Sequence, residues 1–362
     1  MRLPEARIGY APYSVDLSEP GDRRRFAFYA RNRGLSLEPA NPSGELDLVM
    51  LSTRADITRW GRAEGAKIVY EVIDSYFALP RRDPRNLGRS LAKLLSGETS
   101  RLTLSYRRAM EAMCDRADAV VCSTIEQRET ILPMCSNVHV ILDYHGEDVR
   151  AHKDDYALHG PPKLVWEGLP YTLQTLETIV PVLRDLRRDR HAQVRLVTDL
   201  VFKQYAGRFR RRSTSDIANR LLAAYELHEW SPQALAEVAI GSDVAIIPAD
   251  LDDPFSAGKP ENKLLLLWRM GLPVVAAATP AYTRAMTAVG TPWLACGTQR
   301  EWRAALEALL DDEDARRQAG SLGRAYVEAN YSEEQILAAW DALFRSLGFE
   351  PAASSDGTQC AR

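Results

Sequence analysis

From Ile8 onward the chain alternates two hydrophobic rhythms. Short β-branched runs, "RIGYAP", "LDLVML", "AKIVYEVI", "ADAVVCS" and "NVHVIL", read as strands, and the longer stretches between them carry apolar residues at helical spacing. Leu102, Tyr106, Ala109, Met110 and Met113 predict a helix over Leu102–Arg116. At "STIEQRETIL", Thr124 followed three residues later by Gln127 is a capping-box pattern, so a helix starts directly after a strand.

A second series of the same kind begins at "KLVWEG". It continues through a helix over Thr172–Arg188, "QVRLVTD", a helix near Asp216–Ala223, "AYELHEW", a helix over Pro232–Ile240 and "SDVAIIP". A helix over Glu261–Met270, "LPVVAAA", a helix near Ala281–Thr287, "PWLAC" and three closing helices up to Leu347 complete it. Between the two series lies "AHKDDYALHGPP", polar and ending in Gly160, Pro161 and Pro162, which is the best linker candidate. Alternating strands and helices predict parallel sheets covered by helices. The expected architecture is therefore α/β, with two Rossmann-like doubly wound domains facing a cleft. The expected boundaries are 1–150, a linker over 151–162, a second domain over 163–332, a closing helix over 333–349 that crosses back to the first domain, and a disordered tail over 350–362. No internal repeat of 20 to 50 residues is evident.

Composition narrows the function classes. The 362 residues hold 46 basic and 49 acidic side chains, divided 23 to 23 before residue 160 and 23 to 26 after it. Neither half has the positive excess of a nucleic-acid binder. The longest charge-free stretch, Ala285–Gln299, contains Gly290 and Pro292 and is too short to span a bilayer, and the start "MRLPEARIGYAPYSV" lacks a secretory core, so a cytoplasmic location is expected. Cys114, Cys122, Cys135, Cys296 and Cys360 form no C-x-x-C pair, which argues for reduced thiols and against zinc or a disulfide framework.

The most informative segment runs from Ser242 to Tyr282. A strand ending in Pro248 opens into a loop with Pro254, Gly258 and Pro260, followed by a helix that is apolar on nearly every side. The free N–H groups and positive dipole end at such a helix start favour an anion. The chain has only seven lysines, and two of them, Lys259 and Lys263, flank this start. An ammonium is a compact point charge suited to a diphosphate. Asn262 is expected to cap the helix or to reach a ligand.

This segment resembles the donor-binding region of GT-B glycosyltransferases, in which a strand ending in Pro, a loop, a "K-x-x-N-K" type helix start and "G-x-P-V-V" follow in this order. "ADAVVCSTIEQRETI" with "NVHVILDYHGED" is similar to the end of the acceptor-side domain of that group. "KLVWEGLPYTLQTLETI" resembles its donor-side opening strand and glycine loop, and "EANYSEEQILAAWDALF" its closing helix. The resemblance implies transfer of a sugar from a nucleotide-activated donor to an acceptor hydroxyl, with the nucleotide sugar as co-substrate and no further cofactor or metal. Many retaining members carry two glutamates eight residues apart here. The corresponding positions of this chain are Gly258 and Leu266, so that pair is missing.

The resemblance further implies phosphate contacts at Lys203, in "VTDLVFKQYAG", and at Gly168. Glu261 either replaces the lost ribose contact or favours the helix dipole. For the acceptor side, Asp74 after "IVYEVI", and Asp143 and His145 after "NVHVIL", stand at expected strand ends. A carboxylate or imidazole there could take the acceptor proton in an inverting reaction. Asp74 is equally readable as a turn or helix-cap residue, and His145 as a plain linker-side histidine.

The stretch Tyr76–Arg108 carries eight basic residues, Arg81, Arg82, Arg85, Arg89, Lys93, Arg101, Arg107 and Arg108, against Asp83 and Glu98. Interleaved with Leu87, Leu91, Leu94 and Leu95, it reads as a solvated helical face or as a contact with an anionic membrane bearing a lipid-linked acceptor. "GRFRRRS" over Gly207–Ser213 permits the same two readings. The expected partners are a nucleotide-sugar donor, a glycan, lipid-linked or small-molecule acceptor, and no nucleic acid. Two other functions stay open: a non-catalytic sugar-nucleotide-binding partner, and a nucleotide-sugar epimerase, for which Asp250, Asp252 and Asp253 supply carboxylates but no histidine.

Overall fold

A computed structural model describes residues 1–60, 65–80, 84–95, 99–101, 105–203 and 211–351. The proposed tail from 352 onward, with Cys360, and the basic residues Arg81, Arg82 and 207–210 lie outside the described residues. The chain divides into two units, Met1–Tyr144 with Glu333–Arg362, and His145–Ser332. The division falls just before His145, ahead of the polar 151–162 segment.

In the first unit β1 (Ile8–Ala11) leads through α1 (Pro20–Arg24) and α2 (Phe26–Asn32) to β2 (Leu37–Pro39), β3 (Leu48–Leu51) and β4 (Lys67–Val72). Then come α3 (Pro84–Leu95), α4 (Tyr106–Arg116), β5 (Ala119–Cys122), α5 (Ile125–Ile131) and β6 (Val138–Val140). All strands are parallel, in the order β2-β1-β3-β4-β5-β6. Both faces of the central strands are covered, which is why β3 and β5 are buried at every position and read as unbroken apolar runs. The capping box at Thr124 forms as the spacing predicts: its hydroxyl accepts from the Gln127 N–H, and the Gln127 amide reaches back to the Thr124 N–H.

The second unit runs β7 (Lys163–Glu167), α6 (Val180–Arg190), β8 (Gln193–Thr198), the short hairpin strands β9 (Val201–Lys203) and β10 (Arg211–Ser213), α7 (Thr214–Leu221) and β11 (Glu226–Glu229). It continues with α8 (Pro232–Ile240), β12 (Val244–Ile247), α9 (Pro254–Ala257), α10 (Asn262–Arg269), β13 (Val274–Ala277), α11 (Pro280–Ala288), β14 (Ala295–Cys296), α12 (Gln299–Asp311) and α13 (Glu313–Asn330). Its main sheet is parallel in the order β11-β8-β7-β12-β13-β14. The helix expected over 172–188 begins instead as a 3-10 run over Pro170–Ile179, where Thr172, Thr175 and Thr178 each turn a hydroxyl onto the carbonyl three residues back.

α10 is apolar all round because it is enclosed: Leu264 to Trp268 are all buried. α13 lies against it through two glycines. A Cβ at Gly323 would come within 2.4 Å of the Trp268 ring, and one at Gly320 within 2.2 Å of the Gly271 carbonyl. Gly271 itself, at φ +79°, turns the chain from α10 into β13 in a conformation that side-chain-bearing residues rarely adopt.

The last helix, α14 (Glu333–Ser346), belongs to the first unit. Trp340 and Phe344 pack on Phe26 and Tyr29 of α2, and Asp341 accepts from Tyr29 Oη at 2.8 Å and from Arg33 Nη2 at 2.6 Å.

Candidate functional site

In an open parallel sheet ligands gather beyond the carboxyl ends of the strands, where the order of connection reverses. In the second unit that reversal lies between β7 and β12. The chain leaving β7 is Glu167-Gly168, and the chain leaving β12 leads through the loop to α10. Of the residues singled out from the sequence in this unit, Gly168 and Lys263 are brought together at that reversal.

Lys263 is in the first turn of α10. Its ammonium rests 5.4 Å from the centre of the Trp166 indole, a cation–π contact with the last buried ring of β7. It also lies so close over Gly168 that a Cβ there would stand 2.5 Å from Nζ, with Trp166 and the Thr172 hydroxyl each 3.0 Å away. A Cβ at Gly168 would therefore displace the Lys263 ammonium, and the Gly168 N–H donates to the Val197 carbonyl of β8. Burial pushes the Lys263 pKa below its ordinary value, and the nearby Glu167 charge only partly opposes this. Lys263 makes no salt bridge among the described residues.

Glu261 occupies the N-cap position of α10 that the sequence offered to Asn262, and Asn262 is the first helical residue. The Glu261 side chain makes no cap hydrogen bond to the first-turn N–H groups. It is buried, 4.0 Å from the Arg284 guanidinium of α11. Burial, and then the charges of Glu261 and Glu167, raise the pKa of the buried Tyr282 phenol beside it. Lys259 is half-buried in the loop before the helix. Lys203 closes β9, while its side chain lies outside the described residues.

The neighbouring carboxylates have structural work. Asp253 caps α9 by accepting from the Ser256 N–H, and the exposed Asp250 accepts from the Asp252 N–H. Sequence reasoning missed Thr198, at the carboxyl end of β8 one position beyond the Glu167–Val197 register pair. Its hydroxyl is buried and makes no hydrogen bond among the described residues. It also missed Trp166, Tyr282 and Arg284, all of which look like ordinary core or surface residues until folding assembles them.

The acceptor-side candidates fall in different units, Asp74 and Asp143 in the first and His145 in the second. Asp74 is exposed in the turn after β4, its carbonyl accepting from the Tyr76 N–H, and Ser75 rather than Asp74 precedes the following 3-10 turn as its cap residue. His145 is buried, its carbonyl accepting from the Asp148 N–H, and it falls in the second unit.

What the first unit assembles is a buried polar chain. Tyr13 Oη donates to Glu71 at 2.7 Å, Arg25 Nε donates to the other oxygen of Glu71 at 2.9 Å, and Arg25 Nη1 donates to Asp143 at 2.8 Å. Arg25 and Glu71 are fully buried, and Arg25 Nη2 makes no hydrogen bond among the described residues. Burial raises the Glu71 pKa against the pull of Arg25 and Tyr13. Burial opposes the Arg25 cation too, but Glu71 and Asp143 outweigh it and hold its pKa above the usual value. Asp22 fixes the loop after β1, accepting from the Tyr10 and Ser14 hydroxyls and from the Tyr13 and Ser14 N–H groups. One signal was available in the sequence: Glu71 interrupts the otherwise apolar "IVYEVI".

Among the described residues no group of three or more His, Cys, Asp or Glu side chains could hold a metal ion, and no helix is long and apolar enough to cross a membrane. Cys114, Cys122, Cys135 and Cys296 are free and buried.

No protein-family model matches the sequence, and no curated protein matches it. Solved structures do. Sucrose-phosphate synthase from Thermosynechococcus elongatus superposes with a TM-score of 0.58 at 16% identity, covering 89% of this chain and 76% of its own. WaaG, a glycosyltransferase involved in lipopolysaccharide biosynthesis, gives 0.57 at 11% identity over 94% of this chain and 100% of its own. A glycosyltransferase from Rickettsia africae gives 0.53 at 12% identity over 94% and 98%. With its two six-stranded parallel sheets, the chain has a GT-B glycosyltransferase-like fold.

Proposed function

We propose that the protein is a glycosyltransferase that holds the diphosphate of a nucleotide-sugar donor at the start of α10 and moves the sugar to an acceptor hydroxyl. The observation that carries this reading is the Lys263 ammonium, packed over Trp166 and Gly168 in the first turn of α10 and making no salt bridge among the described residues. A half-buried cation with a lowered pKa gains most from a ligand that brings negative charge.

In the proposed reaction the bond between the anomeric carbon and the diphosphate oxygen breaks, and the electron pair leaves with the diphosphate. Lys263 and the first-turn N–H groups stabilise that developing charge, with Lys259 and Lys203 as further cationic contacts. Gly168 lets the backbone approach the phosphates, and Glu261 and Asn262 face the rest of the donor. A new bond forms from the acceptor oxygen to the anomeric carbon, and the acceptor proton passes to a base. Asp74 and His145 are the candidates for that base. Asp253 and Asp250, being committed to cap and turn, speak against the epimerase reading.

The test is a thermal shift with a panel of nucleoside diphosphates, followed by assay of nucleotide release from the matching sugar donors with and without acceptor. Stabilisation by one nucleoside diphosphate and acceptor-dependent release are expected. Failure of every nucleoside diphosphate to stabilise the protein overturns the site. Stabilisation without turnover replaces the transferase with a binding-only partner, and epimerised donor without a new glycoside replaces it with an epimerase.

A further inference from the structure

The starts of β8 and β11 flank a cavity of about 330 Å³, at the amino ends of the strands and so at the opposite end of the second unit's sheet from the α10 site. That volume suits a small metabolite. One wall is the last turn of α6, which carries three arginines. Arg188 pairs with Asp189 and Arg190 with Asp311, and both complement the negative end of the helix dipole. Arg187, which lines the cavity, makes no ion pair or side-chain hydrogen bond among the described residues. His191 follows at φ +57°, the left-handed position after a helix that glycine fills with least strain, and here an imidazole on the cavity wall takes its place. On the other side stands Tyr225, its hydroxyl donating to Asn219 Oδ1 at 2.8 Å, which fixes the ring. Ala192 and Val194 supply a buried apolar floor. The one carboxylate of the lining, Glu226, lies 3.0 Å from Arg195 Nε, so its charge is already answered.

We propose that this cavity binds a small organic anion, its carboxylate or phosphate head on Arg187 and His191 and its flat or apolar body against Tyr225 and Val194. The sign of the ligand follows from the pairing: the lining holds a cation without an internal partner, while its carboxylate is committed to Arg195. A guanidinium fork matches the two oxygens of such a head, and an imidazole offers an N–H in either charge state. The body follows from the floor and the ring, which a bare inorganic ion would leave uncovered. The site is separate from the α10 residues and does not depend on the glycosyltransferase reading.

The experiment is a ligand-observed NMR titration of the full chain with benzoate and phenyl phosphate. Acetate and inorganic phosphate serve as heads without a body, and benzyl alcohol as a body without charge. Benzoate or phenyl phosphate should bind more tightly than all three controls. Arg187→Ala should weaken that binding by roughly tenfold or more, with the melting temperature near wild type because the side chain is exposed. His191→Gly relaxes the left-handed turn, so it should hold or raise the melting temperature while binding still falls. Lys263→Ala should leave these probes unaffected. The proposal is overturned if neither benzoate nor phenyl phosphate binds, or if both Arg187→Ala and His191→Gly bind like wild type. Loss of binding in Lys263→Ala alone assigns the probes to the α10 site and overturns it too. Acetate and inorganic phosphate binding as tightly as the phenyl compounds would reduce the cavity to a counter-ion site, and benzyl alcohol doing so would remove the role of charge; either result overturns the proposal.

Discussion

Arg25 and Lys263 are both cations held near the carboxyl end of a parallel sheet, one in each unit, and their surroundings differ in kind. Arg25 has two carboxylates within 3 Å and is wholly buried with one of them. Lys263 has an indole face, a glycine and a helix start, with only the more distant charge of Glu167 to balance it. In the first arrangement the charge is answered within the protein by two carboxylates, although the buried Arg25 Nη2 makes no hydrogen bond among the described residues. The second leaves an attraction for negative charge unspent. Burial by itself therefore does not separate the two cations; the presence of carboxylate partners does.

That contrast can be broken most severely at Arg25. Arg25→Met leaves Glu71 buried without its cation and should cost about 3–5 kcal/mol of stability, read from denaturant midpoints. If the variant kept wild-type stability and lost only activity, Arg25 would be a ligand contact and the contrast would collapse. Next in size, Lys263→Ala should weaken nucleoside diphosphate binding by about 1.5–3 kcal/mol, measured by calorimetry, with stability held or improved because a desolvated charge is removed.

The same residue sets a pH dependence. Its free pKa is lowered and a bound anion favours the ammonium, so affinity should be flat below the lowered value and decline as pH rises through it towards the ordinary lysine range. Lys263→Arg should abolish that alkaline limb; a limb that persists would move the titration elsewhere. The smallest expected effect is at Thr198. Since its buried hydroxyl makes no hydrogen bond among the described residues, Thr198→Val should leave the melting temperature near wild type. A loss of about 1 kcal/mol in nucleotide affinity would extend the site to β8, and an unchanged affinity would limit it to β7 and α10.

How far the pattern of residues foretold these features depends on how local each one is. Capping at Thr124 with Gln127, the α8 span from Pro232 and the buried α10 were legible because cap, period and turn glycine lie within a few positions of one another. β2 was not recognised, since three half-exposed residues, Leu37–Pro39, make no period. The 3-10 course of Pro170–Ile179 was hidden for a similar reason: its apolar spacing serves either helix type, and threonine hydroxyls decide between them. Arg25 and its partners are 46 and 118 positions apart, and no local rule joins them. Lys263 was singled out by its rarity and its place at a helix start, whereas the indole beneath it, on β7, became visible only with the sheet order.

The two glycines of α13 bear on all of this from the far end of α10. By letting one helix backbone press against the ring and carbonyl at the other's C-terminal end, they act as a clamp on a rod only about 12 Å long. A methyl group at position 320 or 323 would lever the opposite tip, where the ammonium sits, so a change made well away from any phosphate would be felt as misaim. On the proposed reading, an anion cradle there would be aligned before its ligand arrives, the entropy of ordering it having been met when the chain folded.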